Sequence, residues 1–293
     1  MNIALVTNKK LHHKYWSSQL YLKNNVRLII HPTGIQEPLL KKIKKKRLFH
    51  YGAFYFILKI VSVLCNKIFK AGLTKSNNRA EREYFSQYEK QYDKIPKSMI
   101  HEVKTVNSKT TLKLIKENKI DIICFLGGDV AKKEFINSAK ICLNYHSGTS
   151  PFYNGTKTNY HAVSDFRPNF VGGTLMKMNE RIDGGEILMH YLCPIKGTDR
   201  AEDLFMKGII GSVKVYQEFL DKYKDSAKGI SQRKSFKYVR NIDWTIINDI
   251  RLKKFYKNNR MKIYEREESI IDYVNKDYSL EDLYRISLKK ILA

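Results

Sequence analysis

Four short apolar runs constrain what this chain can fold into more than any other feature. They are Ile3 to Thr7, Val26 to Ile30, Ile120 to Leu126 and Ile141 to His146, with amphipathic stretches among them. A run that is apolar along its whole length reads as a strand buried on both faces, as in a parallel sheet covered by helices. The chain opens strand, helix, strand, with the first helix predicted from about Lys10 to Lys23. The pattern resumes with a strand from Ile100 to Val106 and a helix from Lys109 to Asn118, for which Asn107-Ser108 supplies the N-cap. A short helix is expected over about Ala131 to Ala139, before the last run. The expected fold class is therefore α/β.

In open α/β sheets, chemistry collects at the carboxyl ends of the strands. Two such ends stand out: Gly127-Gly128-Asp129 and Asn144-Tyr145-His146. The loop after the first strand, Asn8-Lys9-Lys10, contains no glycine. The G-x-G-x-x-G fingerprint is absent, which argues against a nicotinamide or flavin cofactor.

Residues 34–96 interrupt the α/β pattern and read as an inserted helical cap. A basic block, Lys41-Lys42-Ile43-Lys44-Lys45-Lys46-Arg47, precedes an apolar stretch from Phe54 to Cys65, and a polar segment from Thr74 to Asp93 follows. A basic amphipathic helix within 41–65 suits peripheral contact with an anionic membrane. A helix packed on the main domain with its lysines in water is the favoured of the two readings. The apolar stretch is too short to span a bilayer and carries Lys59 near its middle.

The formal charge is +25 over 293 residues. Such a charge suits a polyanionic partner, but the lysines are spread along the whole chain, which favours compositional bias over a dedicated nucleic-acid surface. Cys65, Cys124, Cys142 and Cys193 form no C-x-x-C pair and no zinc-spaced cluster. Together with an N-terminus that lacks the charged and apolar regions of a signal peptide, they suggest reduced cysteines in a cytoplasmic protein.

The segment from Asn144 to His190 carries the chemistry. Asn144 and His146 are two apart in an extended run, so an amide and an imidazole point to one face at a strand end. A nearby carboxylate would fix the imidazole tautomer and favour its protonated form. Asp183, followed by Gly184 and Gly185 that permit a tight turn, is the candidate. Of the eight histidines, only His146 is expected to have this setting. His161, in Asn159-Tyr160-His161-Ala162, is expected on a helix as a structural or substrate-lining group.

Asn-x-His, the loop Pro151-Phe152-Tyr153-Asn154-Gly155, and Ile182-Asp183-Gly184-Gly185-Glu186-Ile187-Leu188, in this order, resemble the formyltransferases that use 10-formyltetrahydrofolate. The resemblance covers about residues 1–33 and 97–222 and is most specific between 141 and 190. It implies a Rossmann-like domain over 1–222, with 223–293 as a mostly helical appendage. Asn144, His146 and Asp183 would be the catalytic residues, and no metal is implied. Backbone groups of Gly128, Asp129, Val130 and Ala131 would hold the pterin ring, with Arg181 and Ile182 on the opposite wall. Gly127-Gly128 departs from the bulkier residues usual in that loop. The acceptor implied is a small-molecule amine. A nucleotide-linked amino sugar fits best, because residues 223–293 do not resemble the β-barrel that tRNA-formylating relatives carry. Methionyl-tRNA formylation, hydrolysis of the formyl folate, and a non-catalytic basic binding module remain the alternatives.

Overall fold

The apolar runs come together at the centre of one sheet. In a computed structural model of the chain, residues 1–34, 57, 58, 60, 61, 64, 73–223, 226–232 and 235–292 are described. Strands β1 (Ile3–Thr7), β2 (Val26–Pro32), β3 (Ile100–Val103), β4 (Ile122–Leu126) and β5 (Ile141–His146) pair in parallel. Strands β7 (Gly172–Lys177), β8 (Glu186–Leu192) and β10 (Ser269–Asp272) extend the sheet antiparallel beyond β5. The order across the eight strands is β10-β8-β7-β5-β4-β1-β2-β3. From β1 the chain winds to one side through β2 and β3, then returns to the other side for β4 and β5. The strand order thus reverses between β1 and β4, and a crevice opens at their carboxyl ends, where α/β proteins bind ligands.

The two faces of the sheet are covered by different helices. Leu5, Cys124 and Leu143 point to one core with Trp16 and Leu20 of α1 (Leu11–Lys23) and with Val215 and Phe219 of α7 (Ala201–Lys222). Ala4, Val6, Ile123 and Cys142 point to the other core, with Ile115 of α4 (Lys109–Glu117) and Phe135 of α5 (Lys133–Ile136). This even–odd division is the period-two alternation of a strand, hidden in the sequence because both faces are apolar. Ser108 caps α4 as expected, accepting a hydrogen bond from the backbone N–H of Thr111.

Several expected elements are shorter than the sequence suggests. The helix expected over 131–139 is reduced to α5 because the chain before it is pinned as a loop. Asn107 accepts from the N–H of Lys132 at 2.7 Å and donates to the carbonyl of Val130 at 2.8 Å. Asp129 accepts from the N–H of Val106 at 3.2 Å, which also turns that residue out of β3.

Within the insertion, the described part is helical: α2 (Leu73–Phe85) and α3 (Glu89–Tyr92) pack against α1, and α2 also against α7. The basic block at 41–47 lies outside the described residues, as does most of the segment 41–65 considered for membrane contact. Among the described residues no helix is long and apolar enough to cross a membrane. Cys124, Cys142 and Cys193 are free and buried.

Residues 223–293, expected to be mostly helical, contain helices α8 (Ile246–Lys257) and α9 (Leu280–Leu292) and two strands that were not expected. β10 joins the main sheet beside β8, and β9 (Lys237–Val239) pairs in parallel with β6 (Tyr153–Gly155). Phe255, Tyr273 and Leu283 are buried in the same core as Leu143. Runs of three and four residues are too short to leave a periodic signature in a sequence.

Candidate active site

β5 carries Asn144 and His146 to the crevice beside the point where the strand order reverses. Both side chains line a cavity of about 400 Å³, as their two-residue spacing requires. Asp183 reaches the same cavity from the connection between β7 and β8. That connection is the loop over 178–185, closed by the pairing of Lys177 with Glu186. A Cβ on Gly185 would lie 1.9 Å from the carbonyl oxygen of Lys177, so only glycine fits. Asn179 ties the loop to itself, donating to the carbonyl of Gly184 at 2.9 Å and accepting from the N–H of Arg181 at 2.9 Å. Asp183 sits in the left-handed region at φ 50°, where Asp and Asn are the tolerated non-glycine residues.

Nδ1 of His146 and Oδ1 of Asp183 are 3.3 Å apart, and both side chains are largely buried. The other carboxylate oxygen accepts from the backbone N–H of Gly155 at 3.0 Å, and Asn154 donates to the Asp183 carbonyl at 3.0 Å. The loop around β6 therefore grips Asp183 on two sides and sets its orientation towards the imidazole. Nε2 of His146 faces the carbonyl oxygen of Tyr153 at 3.2 Å. Each ring nitrogen thus faces an oxygen, and the doubly protonated ring is the form that donates to both. Gly148 completes the enclosure: a Cβ there would lie 2.5 Å from the Tyr153 carbonyl and 2.7 Å from Nε2 of His146.

Gly128, Asp129, Val130, Ala131, Arg181 and Ile182 all line this cavity with Asn144, His146 and Asp183. The carboxylate of Asp129 is turned to the Val106 N–H, which leaves backbone groups and the Val130 side chain for a ligand. Val130 and Ile182, on two different loops, are both more than half exposed. His161 lies on α6 (Thr158–Ser164), as expected, but packs against Trp244 at a ring distance of 5.0 Å. Burial pushes its imidazole down to about 4, so it stays neutral as a core group.

The cavity contains groups that the sequence did not single out. Met176 and Tyr238 line it, the latter delivered by β9 through its pairing with β6. His12, His13 and Phe205 close the side below β1. His12 also corrects the expectation that His146 alone has a carboxylate partner: its Nδ1 lies 2.6 Å from Oε1 of Glu81 on α2. The two residues are 69 apart in the chain, and no local pattern connects them.

Residues 29–219, well over half of the chain, match the formyl transferase family, and the chain belongs to that family. A methionyl-tRNA formyltransferase from Wigglesworthia glossinidia brevipalpis is 31% identical over 106 residues, which cover 35% of this chain and 33% of that protein. Another, from Caldicellulosiruptor saccharolyticus, is 26% identical over 181 residues, 55% of this chain and 57% of that protein. The matches thus span between a third and somewhat over half of the length of these curated relatives. In fold the chain is similar to a sugar N-formyltransferase from a Shewanella species, with a TM-score of 0.52, 15% identity and 87% of each chain covered.

Proposed function

We propose that this chain transfers the formyl group of 10-formyltetrahydrofolate to the primary amine of a nucleotide-linked amino sugar. The observation that carries the reading is the convergence of Asn144, His146 and Asp183 on one cavity at the switch point of the sheet. Formyl transfer requires a hydrogen-bond donor where negative charge develops, a group that moves a proton between two nitrogens, and a dry enclosure. The amide of Asn144 donates to the formyl oxygen as the acceptor nitrogen bonds to the formyl carbon. The imidazolium of His146 strengthens the same stabilisation. A proton leaves the attacking nitrogen and one is delivered to N10 of the folate as the old carbon–nitrogen bond breaks. His146 is the group of the site suited to that exchange, and Asp183 holds its ring oriented.

The exposed apolar side chains of Val130 and Ile182 on two cavity loops suit the flat pterin ring, with the backbone of 128–131 supplying hydrogen bonds.

A small amine as acceptor is supported by the tail. Among the described residues from 226 on, α8, α9 and β10 contribute to the main core and β9 pairs with β6, an arrangement unlike a separate nucleic-acid-binding barrel. Methionyl-tRNA as acceptor is the second reading, favoured by the sequence relatives in the family. The deciding experiment incubates the protein with 10-formyltetrahydrofolate and either a panel of amino-sugar nucleotides or charged initiator tRNA, following tetrahydrofolate release. We expect release with an amino sugar. Comparable turnover with charged tRNA would move the assignment to the second reading, and release without any amine would make the protein a hydrolase.

A further inference from the structure

Helix α1 starts at the carboxyl end of β1, beside the switch point, where the unpaired N–H groups and the dipole of a helix favour an anion. Its own sequence supplies none. There is no acidic residue in its first turn, and Lys10 at the N-cap position makes no side-chain cap. The carboxylate of Glu81, from α2 of the insertion, fills this place. Its Oε1 accepts from the backbone N–H of His12 at 3.1 Å and faces Nδ1 of the same residue at 2.6 Å. Glu81 is buried, which on its own would push its carboxyl up. The hydrogen bond and charge of His12 outweigh this and hold it below the ordinary value, so it is ionised. With Nδ1 engaged, Nε2 is the polar atom that His12 has left to offer the cavity it lines. The ring is held in place by His13 at 4.1 Å and by the edge contact with Phe205 at 5.7 Å.

We propose that Glu81 and His12 form the acceptor-reading element of this site. Glu81 is a resident anion that blocks phosphate from the amino end of α1, and His12 hydrogen-bonds a hydroxyl of the amino sugar through Nε2. The inference rests on the formyl-transfer reading and narrows its acceptor. β1 and β5 are separated only by β4, with Thr7 level with Leu126 and Phe125 level with Asn144. Two strand spacings put the two ends roughly 10 Å apart. His12 lies just beyond the end of β1 and lines the same cavity as Asn144 and His146, so a sugar ring with its amine at those two groups can present a hydroxyl to His12. An amine whose phosphate needed the end of α1 would be refused by Glu81. His12 is thus a specificity residue, and Glu81 positions it.

The test uses the full chain, with His12→Phe, Glu81→Gln and Glu81→Ala, each checked by thermal melting. With 10-formyltetrahydrofolate and the amino-sugar nucleotide that the wild type turns over, His12→Phe raises the acceptor KM by about tenfold or more, the loss of one good hydrogen bond. The folate KM stays put, because the pterin loops are untouched. Glu81→Gln moves the acceptor KM in the same direction. Calorimetric titration with inorganic phosphate gives a readout that does not depend on turnover: Glu81→Ala binds phosphate, and the wild type does not. A folded His12→Phe with unchanged acceptor KM overturns the proposal, as does equal phosphate binding by wild type and Glu81→Ala. Should Glu81→Ala not fold, Glu81→Gln takes its place in the titration. If no amine is formylated at all, the functional reading falls, and the phosphate comparison still decides whether Glu81 guards the helix end.

Discussion

At the residue scale, the proposed mechanism separates groups that act from groups that hold them. Asn144→Ala should lower kcat by about 10²- to 10³-fold, as the loss of an oxyanion donor does. His146→Ala should lower it by at least roughly 10²-fold, the usual contribution of a positioned acid or base. Folate affinity should change far less in both, because these groups act mainly in the transition state. Asp183→Asn is the sharper probe. Asparagine tolerates the left-handed backbone at this position and still offers an oxygen to the Gly155 N–H, so the loop should keep its shape. What is lost is the charge beside His146, and the pH–rate profile should shift along with the rate. A folded His146→Ala protein with near-normal transfer would end the proposed mechanism. Gly148→Ala tests the enclosure. Its added methyl would overlap the Tyr153 carbonyl and the His146 ring, so activity should fall strongly even though no reacting group is removed.

At the element scale, the loop between β4 and α5 is the piece whose shape the site depends on. Three hydrogen bonds from 106–107 to 129–132 hold this loop, and keep 131 and 132 in it where the sequence suggests that a helix has begun. Asn107→Ala removes two of them, and we expect weaker folate binding by calorimetry with a smaller change in kcat at saturating folate. An unchanged folate affinity would mean that the loop holds its shape without Asn107. The first turn of α4 offers a control away from the site. Ser108→Ala removes the cap on Thr111 and should cost about 1 kcal/mol of stability without altering kinetics.

At the scale of the whole molecule, the described residues beyond 226 pack into the same core as the strands that carry the candidate site. His190 on β8 shows the coupling. Its Nε2 donates to the carbonyl of Ser150 at 2.7 Å, and its Nδ1 meets the hydroxyls of Tyr273 at 3.1 Å and Ser287 at 3.3 Å. Truncation after Lys222 would expose this face of the core, so the shortened chain should fail to give a cooperative melt. Burial pushes His190 down to about 4 and His161 down to about 4, and lowers His13 and His31 as well. In the unfolded chain these groups take up protons near 6.5. The unfolded state therefore binds more protons from about that pH downwards, and stability is lost as pH falls from 6.5 towards 4. Melting temperatures should drop across that window. His190→Gln, which keeps a donor and an acceptor, should flatten the drop; an unchanged slope would assign it to other groups.

The sequence alone determined the α/β class, the central strands, the cap at Ser108 and the shared face of Asn144 and His146. These follow from short-range physics: apolar runs seek burial, a strand alternates every two residues, and a serine before a helix satisfies a free N–H. The ordered motifs from 144 to 188 also pointed to Asp183 as the partner of His146, because a double glycine marks a turn that can return a side chain to the sheet. Only the tertiary structure decided the rest. It joined Glu81 to His12, carried Tyr238 into the cavity on β9, and kept 131 and 132, expected at the start of a helix, in a loop. Each of these is set by contacts between segments tens of residues apart, and such contacts leave no periodic trace in the sequence. The tail's place in the core was illegible for the same reason, since β9 and β10 are strands only by virtue of the partners they pair with.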